Sequence, residues 1–140
     1  MALLIDTDLL IDLERVGGSL EDASFLGDED CAISVITVSE LLHGARRAKG
    51  DRRRRRLAFV EHLLADLRPV PITEAVARVH ADIWSDLAER GEIIGAHDLW
   101  IAATALAYGF GLASRNTAEF GRVEGLRLVA PPQDSQTSLP

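Results

Sequence analysis

A chain of 140 residues with 47% apolar side chains is long enough for one domain with a real core and too short for two comfortable ones. Charged residues make up 26% and the apolar runs are short, which excludes both a disordered chain and a membrane-embedded one. The apolar start over 1–5 is interrupted by Asp6, far short of a signal-peptide core or a membrane span, so a cytoplasmic location is expected. The lone cysteine, Cys31, has no intrachain partner and suits a reducing compartment as a buried thiol.

The net charge is −7, unfavourable for a partner that is a polyanion, but its distribution matters more than its sum. Eight of the fifteen basic residues fall between Arg46 and Arg56, a window of charge +7 that leaves −14 on the rest of the chain. The window has two readings: a solvated helix face with a turn at Gly50-Asp51, or a basic patch beside an acidic pocket.

In chain order, residues 2–5 predict a strand stopped by Asp6, and residues 7–15 the helix after it, ended by Gly17-Gly18. A weaker helical piece covers 20–26. Residues 31–35 predict the next strand and 38–48 the next helix, with Gly50 at its end. Leu57, Val60, Leu64 and Leu67 recur at helical spacing, as do Val76, Val79, Ile83 and Leu87 beyond a connection over 68–72. Residues 98–108 predict a helix rich in small side chains (Ala102, Ala103, Ala105, Ala107), suited to close approach, and Gly109 ends it. Residues 111–114 and 126–129 predict the last two strands. Short strands alternating with amphipathic helices imply an α/β fold with a central, mostly parallel sheet covered on both faces. One domain over 1–130 is expected, followed by a frayed, proline-bearing tail over 131–140.

Asp6, Glu40, Asp98 and Asn116 each fall where a strand or loop hands over to a helix. In an open α/β sheet such residues converge on one crevice past the carboxyl ends of the strands. Each also has a purely structural role open to it. Asp6 could cap the helix at Thr7. Thr37 to Glu40 and Asn116 to Glu119 both match the capping box, and Asp98 in a first turn complements the helix dipole. Together, however, several carboxylates in one crevice persist only if protons or cations compensate. Oxygen-only ligands select a hard cation such as Mg²⁺ or Mn²⁺, and phosphodiester hydrolysis is its natural chemistry.

Four segments, LIDTDLLID (4–12), SVITVSELLHG (34–44), HDLWIAATA (97–105) and ASRNTAEF (113–120), resemble in order and spacing the successive motifs of VapC-type PIN domains, over nearly the whole chain. The resemblance implies an α/β/α sandwich, Mg²⁺ or Mn²⁺ as cofactor, and endonucleolytic hydrolysis of RNA leaving 5′-phosphate ends. Carried over by position, Asp6 and Asp98 match the central metal ligands and Glu40 the acid that completes their site. Asn116, the fourth catalytic position, stands where many members carry an aspartate, and it brings an amide oxygen but no charge. Glu119 is placed to supply that charge. Thr7 and Ser114 are expected beside the ligands, Ser114 where the family often has threonine, and Asp8 stands where asparagine is common. The resemblance further implies a toxin of a type II toxin–antitoxin pair and a homodimer within the complex. The antitoxin would place an arginine or lysine in the acidic crevice and lay an amphipathic segment over apolar surface. Arg52, Arg53, Arg54, Arg55 and Arg56 are the residues expected to bind RNA phosphates.

Two rival readings remain open. Asp6-Thr7-Asp8 also looks like the start of a haloacid-dehalogenase-type phosphatase, although Leu10 departs from that motif and the only lysine, Lys49, lies in the basic window. A PIN-like binding module that has lost catalysis is the other, with Asn116 as its best argument. The four histidines, His43, His62, His80 and His97, are scattered and make no zinc site. His62 and His80 are expected at the surface or an interface; His97 neighbours Asp98 and His43 lies one turn past Glu40, so contact with substrate is open to either as the lesser alternative. Trp84 and Trp100 fit helix packing better than base stacking.

Overall fold

The computed structural model describes residues 2–133, so most of the expected frayed tail lies outside the described residues. Five strands form one sheet: β1 (Ala2–Ile5), β2 (Asp30–Ser34), β3 (Arg68–Val70), β4 (Gly111–Ala113) and β5 (Leu128–Val129). Their order is β3-β2-β1-β4-β5, and every pairing is parallel. Parallel neighbours need helical crossovers, and the chain supplies α1 (Thr7–Val16), α2 (Val35–Arg47), α3 (Gly50–Asp66), α4 (Glu74–Glu89), α5 (Ala96–Tyr108) and the short α6 (Thr117–Phe120). Two 3₁₀ turns, Leu20–Asp22 and Ser24–Leu26, stand where the weak helical piece is expected.

Alternation along the strands divides the core in two. Leu4, Ala32 and Leu112 point to the face covered by α4 and α5, and Leu3, Ile5, Ile33 and Ala113 to the face covered by α1, α2 and α3. Both faces are therefore dry, which is why the strands carry almost no polar residue. In α5, Ala102, Ala103 and Ala105 are fully buried, so the small side chains do bring this helix against its neighbours. Helices α1 and α5 end on Gly17 and Gly109 at φ 68° and 71°, a conformation that costs glycine little.

The structure differs from expectation at several points, among them Gly50, which opens α3 instead of closing α2 because α2 already ends on Ala48. Helix α2 starts at Val35, because the Ser34 side chain accepts from Ile36 N and caps it there. Arg68–Val70, expected as part of a connection, is an edge strand paired with β2. The last strand shrinks to two residues. Cys31 is half-buried, with its thiol pKa raised by burial and by Glu29 and Asp30. Among the described residues, no helix is long and apolar enough to cross a membrane.

Strand order reverses at β1: the chain runs outward through β2 and β3, then crosses back to place β4 on the other side. A crevice opens at such a switch point, outside the carboxyl ends of the two strands that flank it. Asp6 ends β1 there, and Ser114 ends β4.

Candidate active site

Asp6 continues the β1 ladder, donating its N–H to Ala113 O at 2.9 Å, and so stands at the floor of the crevice with 3% of its surface exposed. Its Oδ1 accepts from Thr7 N at 2.9 Å and its Oδ2 from the Ser114 hydroxyl at 2.7 Å. The Ser114 oxygen in turn accepts Asn116 N at 2.9 Å, which fixes the direction of its proton. Burial pushes the Asp6 carboxyl up to about 6, helped by Asp8 and Glu40 and opposed by the bonds from Ser114 and Thr7.

Asp98 sits in the first turn of α5 and Glu40 in the second turn of α2. The Asp98 carboxyl is pushed up to about 7 by burial first, then by the charge of Asp6, by a side-chain hydrogen bond with Glu119, and by the charges of Glu119 and Glu40. Glu40 is held from below. The Thr7 hydroxyl, 3.0 Å from Thr37 Oγ1, donates to Glu40 Oε1 at 2.8 Å, and His97 Nδ1 lies 3.5 Å from the other oxygen.

Three of the four residues expected at the centre, Asp6, Glu40 and Asp98, are thus brought together, and Glu119 joins them. Thr7 and Ser114 touch the carboxylates of Glu40 and Asp6. Asn116 takes its structural role instead: Oδ1 accepts Glu119 N at 3.4 Å, capping α6, and Nδ2 donates to Glu119 Oε2 at 3.0 Å. It aims Glu119. Glu40 is not part of a capping box, since α2 begins two residues before Thr37 and the Thr37 side chain is buried against Thr7. Thr37 is an addition to the expected site. Its signal is a hydroxyl at a fully buried position, one turn before Glu40 on the same helix face.

The donor set is all oxygen and short of positive charge, the character of a site for a hard divalent cation. As the side chains stand, no three His, Cys, Asp or Glu among the described residues are gathered tightly enough to ligate one ion. Glu119 occupies Asp98, and Thr7 and His97 occupy Glu40.

The basic residues gather at the tip of the α2–α3 hairpin, where Arg46, Arg47, Lys49, Arg52, Arg53, Arg54 and Arg55 are all exposed. Arg54 pairs with Asp51. Arg56 does not share that exposure. Its Nε lies 3.0 Å from Glu14 of α1, with side chains only 21% and 20% exposed, and its Nη1 donates to Gly44 O. It pins the hairpin to the domain. Glu40, His43 and Arg47 follow one face of α2, so the patch begins about 10 Å along the helix from the crevice.

Of the other residues singled out, His62 is exposed beside Asp66 and His80 stacks on Trp100 at 3.6 Å between ring centroids. Trp100 is half-buried by that packing, whereas Trp84 is 62% exposed, more open than helix packing predicts. On the other side of α1, Leu9, Leu13, Val16, Leu20 and Phe25 line an open cavity of about 760 Å³, with Arg115 paired to Asp12 at its rim.

Known proteins are similar to this chain over nearly its whole length. Ribonuclease VapC1 of Rickettsia felis is 35% identical over 92% of this chain and 96% of its own length. The tRNA(fMet)-specific endonuclease VapC of Shigella flexneri is 30% identical over 89% and 93%. Among solved structures, the DNA-bound VapBC of Salmonella typhimurium superposes with a TM-score of 0.82 at 27% identity, covering 93% of this chain and 98% of that one. The PIN-domain family model matches residues 3–126, and the chain belongs to the PIN-domain family.

Proposed function

We propose that the protein is a divalent-metal-dependent endoribonuclease and the toxin of a type II toxin–antitoxin pair. The observation that carries this reading is the convergence of Asp6, Glu40, Asp98 and Glu119 at the switch point of the sheet, with two carboxyls held well above their ordinary values. Such a cluster is stable only with protons or a cation in it. The relatives named as VapC ribonucleases, and the similar VapBC structures, supply the substrate class and the partner class.

Asp6, Asp98 and Glu40 are the residues that would hold Mg²⁺ or Mn²⁺, with Glu119 adding the charge that Asn116 does not bring. The ion, when bound, supplies an acidified water and a counter-charge for the phosphate undergoing displacement. The protein's part is orientation. Ser114 and Thr7 N fix both oxygens of Asp6, and Thr7 with Thr37 fixes one oxygen of Glu40. Asn116 turns Glu119 toward Asp98. Glu119 helps to raise the Asp98 carboxyl, and a cation in the crevice would draw that raised value back down. RNA would cross the crevice along the Glu40, His43 and Arg47 face of α2, with its phosphates reaching Arg52, Arg53 and Arg55. Arg56, paired with Glu14, is assigned to holding the patch in place.

The antitoxin would silence the site by setting a guanidinium among the carboxylates and by laying an apolar segment along the α1 cavity. A cytoplasmic homodimer within that complex, with the catalytic unit over 1–130, completes the reading. The test is to incubate the purified protein with total RNA, with and without Mg²⁺ or Mn²⁺, and map the new ends. Metal-stimulated 5′-phosphate ends are expected. Absence of cleavage in either metal would leave the binding-module reading, and a phosphorylated Asp6 would favour the phosphatase.

A further inference from the structure

Two arginines away from the crevice each hold a backbone carbonyl of a neighbouring segment. Arg90, the last residue capping α4, donates through Nη2 to Arg122 O at 2.5 Å. Arg122, just beyond α6, donates through Nη1 to Ile93 O at 2.6 Å. Asp86 and Glu92 hold the Arg90 guanidinium from two sides, at 2.7 Å each, so this donor is fixed before it meets its carbonyl.

What the pair connects is specific. Residues 91–95 lead directly into α5, whose N-cap, Gly95, offers no side-chain cap, and whose first turn carries Asp98. Helix α6, only four residues long, carries Glu119 three positions before Arg122. These two segments present Asp98 and Glu119, whose carboxyls act on each other at the crevice. Ile93 is 81% exposed, while its neighbour Ile94 packs against the core. The carbonyl contacts of Arg90 and Arg122 tie the two segments together at the surface, above the packing of Ile94, Leu99, Phe120 and Val123 in the shared core.

We propose that Arg122, supported by Arg90, is a positioning residue that sets the separation of Asp98 and Glu119 for the metal-dependent reaction. This inference rests on the nuclease reading above. It differs from a general stabilising role in what it predicts: loss of the grip should change turnover and the metal requirement rather than RNA capture.

The experiment compares Arg122→Met, which keeps the stem and removes the donors, with Arg122→Lys, which restores one donor to the same carbonyl. Three measurements are made on each full-length protein: kcat and KM for cleavage of a short RNA, the Mg²⁺ concentration giving half-maximal rate, and amide hydrogen exchange over residues 93–98. For Arg122→Met, kcat is expected to fall about tenfold, since small displacements of a reacting group are costly, with KM within about twofold. The Mg²⁺ requirement should rise and exchange over 93–98 should quicken, while the melting temperature stays close to that of the parent. Arg122→Lys should recover most of each. Unchanged kcat and Mg²⁺ requirement in Arg122→Met, or a loss confined to KM, would overturn the proposal, as would a loss that simply follows the melting temperature. If the parent protein cleaves nothing in any metal, the nuclease reading fails, and unaltered exchange over 93–98 would then separately dismiss the grip itself.

Discussion

The acidic crevice and the basic hairpin tip are opposite in more than sign. Nearly every polar atom of the crevice is already engaged: Asp6 is bonded at both oxygens, Glu40 rests on Thr7, and Asn116 is spent on Glu119. At the tip, Arg52, Arg53 and Arg55 project into water with no ion-pair partner among the described residues. The first region has been given fixed geometry at the expense of electrostatic comfort, and the second has comfort without geometry. Fixed groups suit chemistry on one phosphate. Loose cations suit capture of a polyanion whose position along the patch is immaterial.

The strongest way to test this contrast is to remove a charge from the fixed region. Asp6→Asn or Asp98→Asn is expected to reduce cleavage about a hundredfold or more while the fold survives. Parallel rate and melting measurements check this, and retention of most of the activity would place the chemistry elsewhere. Next in size is Ser114→Ala, which keeps every carboxylate but frees Asp6 Oδ2. Loss of such a supporting bond to a metal ligand costs about ten- to hundredfold in metal affinity or activity, read by Mg²⁺ calorimetry.

In the basic region the effects should be smaller and of another kind. Replacing Arg52, Arg53 and Arg55 together with Gln should weaken RNA binding and flatten its salt dependence, by about 0.7 in slope for each single-strand phosphate that is no longer neutralised. Turnover at saturating RNA should hold. Arg56→Met should leave that slope alone and instead destabilise the domain by about 1–3 kcal/mol, measured by urea unfolding, because it strands the half-buried Glu14. Equal behaviour of Arg56 and its four neighbours would erase the distinction drawn between pin and patch.

The last effect is on stability against pH in the absence of metal. A carboxyl whose folded value is raised holds its proton more tightly folded than unfolded, so stability falls as pH rises from the ordinary 3.8 toward about 7 for Asp98. The melting temperature of the metal-free protein should decline over that window, and Asp98→Asn should make the decline shallower. Added Mg²⁺ should cancel part of it.

Much of this is legible in the sequence, for physical reasons that differ by residue. Asp6 is a carboxylate at a strand-to-helix handover and Asp98 one at a loop-to-helix handover, local signals that the sheet topology turns into a shared site. The close packing of α5 follows from its alanines. Strand β3 is hidden because three residues containing Pro69, followed by Pro71, do not look like a strand, and only pairing with β2 makes one. Thr37 reads as a cap in the sequence because its burial depends on Thr7, thirty residues away. Arg56 is indistinguishable from four identical neighbours until packing against α1 singles it out.

Pro69 has a consequence beyond its own strand. The two open edges of the sheet are β3, three residues long with an imino acid at its centre, and β5, only two residues long. An exposed edge is a template on which a second polypeptide can add itself as a further strand, and short, donor-poor edges offer almost no template. Among the described residues the sheet therefore offers copies of this chain little edge for ribbon-like aggregation, and ordered association falls mainly to the helical surfaces.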